Sequence, residues 1–147
     1  MAKLTLKQKG EKQSSVQIPV PVARTMFVSK LDAEFVQMLQ KMLDSDAAII
    51  VEGKKDKAAL EKLSIPGSRI IALGQRPIFV VAEAVASDYR EVAILTDLDS
   101  EGKKLYGKLN TLLQRLGVRV DNRFRNFLFK STKLRQIEGI GRIIQQE

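Results

Sequence analysis

Three acids stand within five positions where an apolar run stops: "VAILTDLDSEGKK" carries Asp97, Asp99 and Glu101. An earlier run, "AAIIVEGKKD", ends the same way, with Glu52 directly after it, then Gly53 and Asp56. The chain contains no cysteine and no histidine. That removes thiol chemistry, Cys-ligated zinc and the usual base near neutral pH. Chemistry at these acids is therefore that of carboxylates, or of a hard cation held by oxygen. Two carboxylates about 5 Å apart repel by roughly 3 kcal/mol at an effective dielectric of 20, which a shared proton or a divalent cation would offset. Mg²⁺ accepts one or two carboxylates and meets its remaining charge on substrate phosphate. Glu52 then suits a general acid or base at a phosphodiester, provided its neighbours raise its pKa. Each acid also has a plainer role. Asp97 and Asp99 suit the cap of a following helix, and Glu52 and Asp56 suit pairing with Lys54, Lys55 or Lys57.

The elements that must carry these acids alternate in type. Leu31, Phe35, Met38 or Leu39, and Met42 recur at helical spacing after Ser29, a candidate cap. Residues 47–51 form a short continuous apolar run of the kind that becomes a strand covered on both faces. A helix is expected over about 55–63, a second strand at 69–73 ended by Gly74, and a helix from Pro77 to about Tyr89. A third strand is expected at 92–96, a helix at 102–116 closed by Gly117, and a short fourth strand at 118–120. The pattern predicts an α/β fold with a mainly parallel sheet between helices. Ligands of such sheets bind beyond the carboxyl ends of the strands, where Glu52 and Asp97 fall. Gly53 is expected to let the chain turn sharply after Glu52. Asp97 and Asp99, two apart in an extended segment, are expected to face one point.

The rest of the chain bounds the partner. Its 147 residues suit one domain that buries about two-thirds of its unfolded surface. Residues 1–28, with Pro19 and Pro21 two apart, read as an N-terminal arm or edge extension, and 122–147 as a basic helical segment. Residues 1–102 carry 14 Lys/Arg against 14 Asp/Glu, and residues 103–147 carry 11 against 3, so the whole net charge of +8 follows the acidic cluster. With a pI near 9.8, a nucleic-acid partner is expected before a membrane. Lys54, Lys55, Lys103 and Lys104 adjoin the acids. Arg123, Arg125, Lys130, Lys133 and Arg135 form the densest basic stretch and are expected to meet phosphates. The interleaved Phe124, Phe127 and Phe129 are read as core. No apolar run approaches the roughly 18 residues that span a bilayer. The basic start of the chain lacks the apolar centre of a secretory signal, so the expected location is the cytoplasm.

The same residues resemble a family. "VEGKKDKAAL", followed some forty residues later by "ILTDLDSEGKKL", is similar to the signature of the Toprim domain of topoisomerases, bacterial-type primases and ribonuclease M5. That signature is a strand ending in Glu-Gly, then a later strand ending in Asp-x-Asp with Gly three residues on. Glu52, Gly53 and Asp56, then Asp97, Asp99 and Gly102, fill it. The compact length and "IEGI" at 137–140 look closest to the small stand-alone primase-like or ribonuclease M5-like members. The resemblance spans about 47–121. It implies a Rossmann-like sheet of about four strands in a single domain over 29–147. It also implies Mg²⁺, with Mn²⁺ as a substitute, at Asp97, Asp99 and Glu52. Gly53, Asp56 and Gly102 would hold supporting places. The implied activity is cleavage of nucleic-acid phosphodiester bonds by a small nuclease. A primase-like nucleotidyltransferase and a non-catalytic subunit of a larger complex are the alternatives.

Overall fold

The computed structural model describes residues 30–132 and 134–140. The arm at 1–28, the Ser29 cap, the side chain of Leu31, Lys133 and the end of the basic segment at 141–147 lie outside the described residues. The described chain runs α1 (Lys30–Asp44), β1 (Ala48–Val51), α2 (Lys54–Glu61), a 3₁₀ turn (Gly67–Arg69), β2 (Ile70–Ala72), α3 (Ile78–Asp88), β3 (Glu91–Ile94), α4 (Ser100–Arg115), β4 (Arg119–Val120), α5 (Arg123–Ser131) and a second 3₁₀ turn (Ile137–Ile140). The four strands form one sheet in the order β2-β1-β3-β4, and every pairing is parallel. This is an α/β fold with the sheet between two helical layers.

Strand residues alternate between the layers because successive side chains point to opposite faces. Ile49, Val51, Ala93 and Leu95 face α1, α2, α5 and the second 3₁₀ turn. Ala48, Ile50, Val92 and Ile94 face α3 and α4. Both faces are apolar, which is why the strands read as unbroken hydrophobic runs. Helix α1 presents Phe35, Leu39, Met42 and Leu43, the i, i+4, i+7, i+8 stripe of one buried face. Phe124, Leu128 and Phe129 of α5 are buried, and Phe35 packs its ring against Phe124 and Phe127. The phenylalanines of the basic stretch are core, as expected. No described helix is long and apolar enough to cross a membrane.

Two ends are fixed by polar groups. The Arg69 guanidinium donates to the carbonyl oxygens of Met42 at 2.9 Å and Ala47 at 2.9 Å, and to Ser45 Oγ at 3.1 Å. It thus places a cation on the negative end of α1 and ties that helix to β2. After α2 the chain reverses through Ser64, whose φ of +73° is left-handed, a position where glycine is at ease and other L-residues are strained. Ser64→Gly is therefore expected to raise stability by about 0.5–1 kcal/mol in urea unfolding at unchanged m-value. A loss of stability would show that the side chain holds this turn.

Candidate functional site

The strands that end in acid are neighbours. β1 and β3 pair in parallel with Ile50 opposite Ile94, so Glu52 and Asp97 emerge side by side at the carboxyl end of the sheet. They touch directly: the Asp97 backbone N–H donates to Glu52 Oε2 at 2.8 Å. Asp97 Oδ1 in turn accepts from the Ile137 N–H at 2.9 Å, and the Leu98 N–H donates to the Arg135 carbonyl at 2.9 Å. The 134–140 segment therefore closes one side of the site. Asp99 caps α4, its Oδ1 accepting from the Gly102 N–H at 2.8 Å. The plain role weighed for Asp99 is thus present in one of its oxygens. Asp56 reaches back from the first turn of α2 to accept the Gly53 N–H at 2.9 Å.

A buried polar chain lies beneath these acids. Thr96, fully buried, donates from Oγ1 to the Gly102 carbonyl at 2.7 Å. The Arg125 guanidinium donates to the carbonyls of Thr96 at 2.7 Å and Ile94 at 3.0 Å. It sits 4.6 Å from the Tyr106 ring centre and 5.1 Å from that of Phe129. Gly102 is where α4 meets the strand end. A Cβ there would lie 2.6 Å from the Asp97 carbonyl carbon and 2.9 Å from its nitrogen, and nearer still to its oxygen.

Three expectations from sequence are corrected. Arg125 is not a surface contact for phosphate; it is 7% exposed and spends its donors on the end of β3. Gly53 makes no turn that needs glycine: its φ of −145° and ψ of −176° are extended, and an added Cβ would meet only Asp56 Oδ2, at 3.9 Å. Asp97 and Asp99 are not aligned along a strand, because β3 stops at Ile94 and the chain bends at Leu98 and Asp99. The bend and the helix cap, rather than strand periodicity, bring the two carboxylates near each other.

The remaining predicted cations are distributed around the site. Lys54 and Lys55 are exposed at the start of α2, and Lys103 and Lys104 in the first turn of α4. Arg123 is exposed but pairs with Asp121 at 2.7 Å. Lys130 ends α5 on the surface, and exposed Arg135 lines a cavity of about 400 Å³ beside Asp99, together with Leu98, Leu134, Gln136 and Glu138. Glu138 was not singled out from sequence. Only the return of the 134–140 segment, about forty residues after Asp97, brings it to the acids.

The electrostatics are those of crowded carboxylates. Burial raises the pKa of Glu52; the Asp97 N–H opposes this, and the charges of Asp97, Asp99 and Asp56 add to it. Burial likewise raises Asp97, opposed by the Ile137 N–H, with Asp99 and Glu138 adding to the rise and Arg125 opposing it. Asp56 is raised by burial too, with Asp97 and Glu138 contributing. Glu52, Asp97 and Asp99 each keep one oxygen outside these hydrogen bonds. An all-oxygen, charge-crowded donor set of this kind fits a hard divalent cation. Among the described residues, however, no three such groups are set to enclose an ion.

No family model matches the chain. It is similar to a UPF0292 protein of Pyrococcus abyssi, 42% identical over 106 residues, which cover 72% of this chain and 78% of that one. It is also similar to a UPF0292 protein of Thermoplasma volcanium, 36% identical over 104 residues, covering 71% and 87%. A solved structure of a protein from Aquifex aeolicus superposes with a TM-score of 0.63 at 37% identity, over 72% of this chain and 94% of that one.

Two outcomes follow from this geometry. Gly102→Ala forces α4 off the Asp97 backbone and should cost about 3 kcal/mol or more of stability, whereas Gly53→Ala should cost little; equal effects would contradict the packing described. The raised carboxyls also give stability a pH dependence of known sign. The folded state holds protons that the unfolded chain has released, so this contribution is full below the ordinary carboxylate range and is lost as pH rises through the raised values. Asp97→Asn, which keeps the acceptor for Ile137, should gain stability relative to wild type as pH rises from about 4 to 7 in EDTA. A flat difference in urea midpoints would remove charge crowding from the site.

Proposed function

The chain belongs to the UPF0292 family, and we propose that it is a Mg²⁺-dependent, Toprim-like protein that cleaves nucleic-acid phosphodiester bonds. The observation that carries this reading is the emergence of Glu52 and Asp97 from adjacent parallel strands, hydrogen-bonded to each other, with Asp99 at the cap of the next helix. Bound at Asp97 and Asp99, the cation would supply charge neutralisation at the scissile phosphate and a lowered pKa for a bound water. The chain's own residues do the rest. Glu52, its pKa raised by burial, is the group placed to serve as general acid or base. The Asp97 N–H fixes the orientation of the Glu52 carboxylate. Arg125 and Thr96 hold the strand end beneath. Exposed Lys54, Lys55, Lys103 and Lys104 follow the acids in the early turns of α2 and α4 and would offer contacts to the flanking phosphates of a nucleic-acid substrate.

A second reading, a nucleic-acid-binding subunit that does not turn over, is favoured by one observation. Each of the three acids spends an oxygen on a backbone N–H, and no three acidic groups among the described residues are set to enclose an ion. The test is a screen of labelled single- and double-stranded RNA and DNA with Mg²⁺ or Mn²⁺. Wild type should cleave at least one class only with metal. Glu52→Gln and the double variant Asp97→Asn with Asp99→Asn should each lose about 100-fold or more while still binding. Unchanged cleavage by the double variant would remove the assignment; binding without cleavage by wild type would support the second reading.

A further inference from the structure

Away from the carboxylates, the first turn of α3 lies across the second half of α4 and leaves an open groove of about 550 Å³. Phe79 stands on one wall, 56% exposed. The other wall is a stripe of α4: Gly107, Lys108, Thr111 and Arg115, which Lys104 continues by one turn toward the site. The groove lining contains no acid. The two ion pairs among the described residues, Arg119 with Glu91 and Arg123 with Asp121, involve none of these cations.

Gly107 is the second observation. It lies inside a helix, where glycine is weaker than alanine, and an added Cβ would meet nothing within 4 Å. Neither backbone conformation nor packing asks for a glycine there. The fold is weakened on this wall of the groove, where no side chain projects.

We propose that this groove is a track for single-stranded nucleic acid, with a base stacked on Phe79 and the backbone following Lys104, Lys108 and Arg115. It deepens the functional reading above, on which it rests, by naming a single strand as the substrate. An exposed ring beside a row of cations on one helix face is the arrangement that binds unpaired strands, because a duplex hides the faces of its bases. A protein interface fits less well: the apolar groups here are Ile78, Phe79 and Leu112 of the lining with Val80 and Leu116 next to it in the chain, a patch small beside the surface that a stable protein contact buries. The dimensions suit a track that feeds the site. At 1.5 Å per residue, Lys104 to Arg115 spans about 16 Å of helix axis, and Asp99 lies about 7 Å beyond Lys104.

Fluorescence anisotropy with a labelled 12-nucleotide single strand, RNA and DNA, in EDTA reads the track without cleavage. Phe79→Ala should weaken binding about 10-fold, and Phe79→Tyr should restore it. Gly107→Leu should weaken binding to a similar degree without lowering the melting temperature. Lys108→Ala and Arg115→Ala should each flatten the slope of log affinity against log salt by about 0.7. Wild-type affinity for Phe79→Ala and Gly107→Leu would overturn the proposal. So would failure of wild type to bind single strands, or equal binding of a duplex with the same dependence on Phe79. Phe79-dependent capture of an acidic protein, with no oligonucleotide binding, would reassign the groove and overturn it too. Metal-dependent cleavage of a dinucleotide, too short to reach Phe79, separates the two readings. Its absence with groove binding intact counts against the carboxylate chemistry alone, and its persistence with no groove dependence counts against the track alone.

Discussion

The Arg125 guanidinium, carried on α5 and nearly sealed from solvent, donates to the carbonyls of Ile94 and Thr96 just where β3 leaves the sheet. Ile94 is the last residue of β3, and carbonyls left unpaired in an apolar interior would cost about 1–3 kcal/mol each. The same side chain orders Thr96, which holds the Gly102 carbonyl, which belongs to the turn that Asp99 caps. One cation therefore anchors the end of β3 at Ile94 and Thr96 and, through Thr96, the first turn of α4 at Gly102. It is in turn tolerated in the interior because Asp97 and Glu52 lie within electrostatic reach and two aromatic rings cover it. The acids need the arginine for position and the arginine needs the acids for charge.

That reciprocity is incomplete, and the shortfall is informative. The guanidinium reaches Asp97 and Glu52, while Asp56, Asp99 and Glu138 add their charges to the same cluster. Burial and mutual repulsion leave Glu52, Asp56 and Asp97 with raised pKa values. A fold selected only for stability would dilute such a cluster or pair it with the nearby lysines. Here the exposed Lys54, Lys55, Lys103 and Lys104 make no ion pair with it. The apolar core on both faces of the sheet offsets the destabilisation.

How much of this was legible in the sequence depended on the range of the interactions involved. Strands buried on both faces announce themselves as continuous apolar runs, so the order of elements and the parallel sheet could be read directly. Glu52 and Asp97 could be placed at strand ends for the same reason. Element ends shifted where side chains set them: α4 starts at Ser100 because Asp99 caps it, two residues before its periodicity suggests. What composition could not reveal was which arginine of a basic stretch turns inward. Arg125 shares its local sequence with Arg123 and Lys130, and only the tertiary approach of α5 to the end of β3 separates them. The 134–140 segment was opaque for a similar reason, since its contact with Asp97 is a backbone N–H bond across forty residues.

Three glycines near α2 and α4 show how the same residue can point to the fold or past it. Gly102 is demanded by the fold, since any side chain there would collide with the backbone of Asp97. Gly53 and Gly107 are not: one is extended and open, the other sits in a helix with empty space where a Cβ would go. Their absence of structural cause is itself a physical datum, because a glycine in such a place loses chain entropy on folding and gains no contact in exchange. Gly53 lies at the carboxylates and Gly107 on the wall of the α3–α4 groove. A local rule broken without benefit to the folded chain marks a candidate functional position, and these two glycines fall on the two surfaces, one acidic and one basic, on which the proposed function rests.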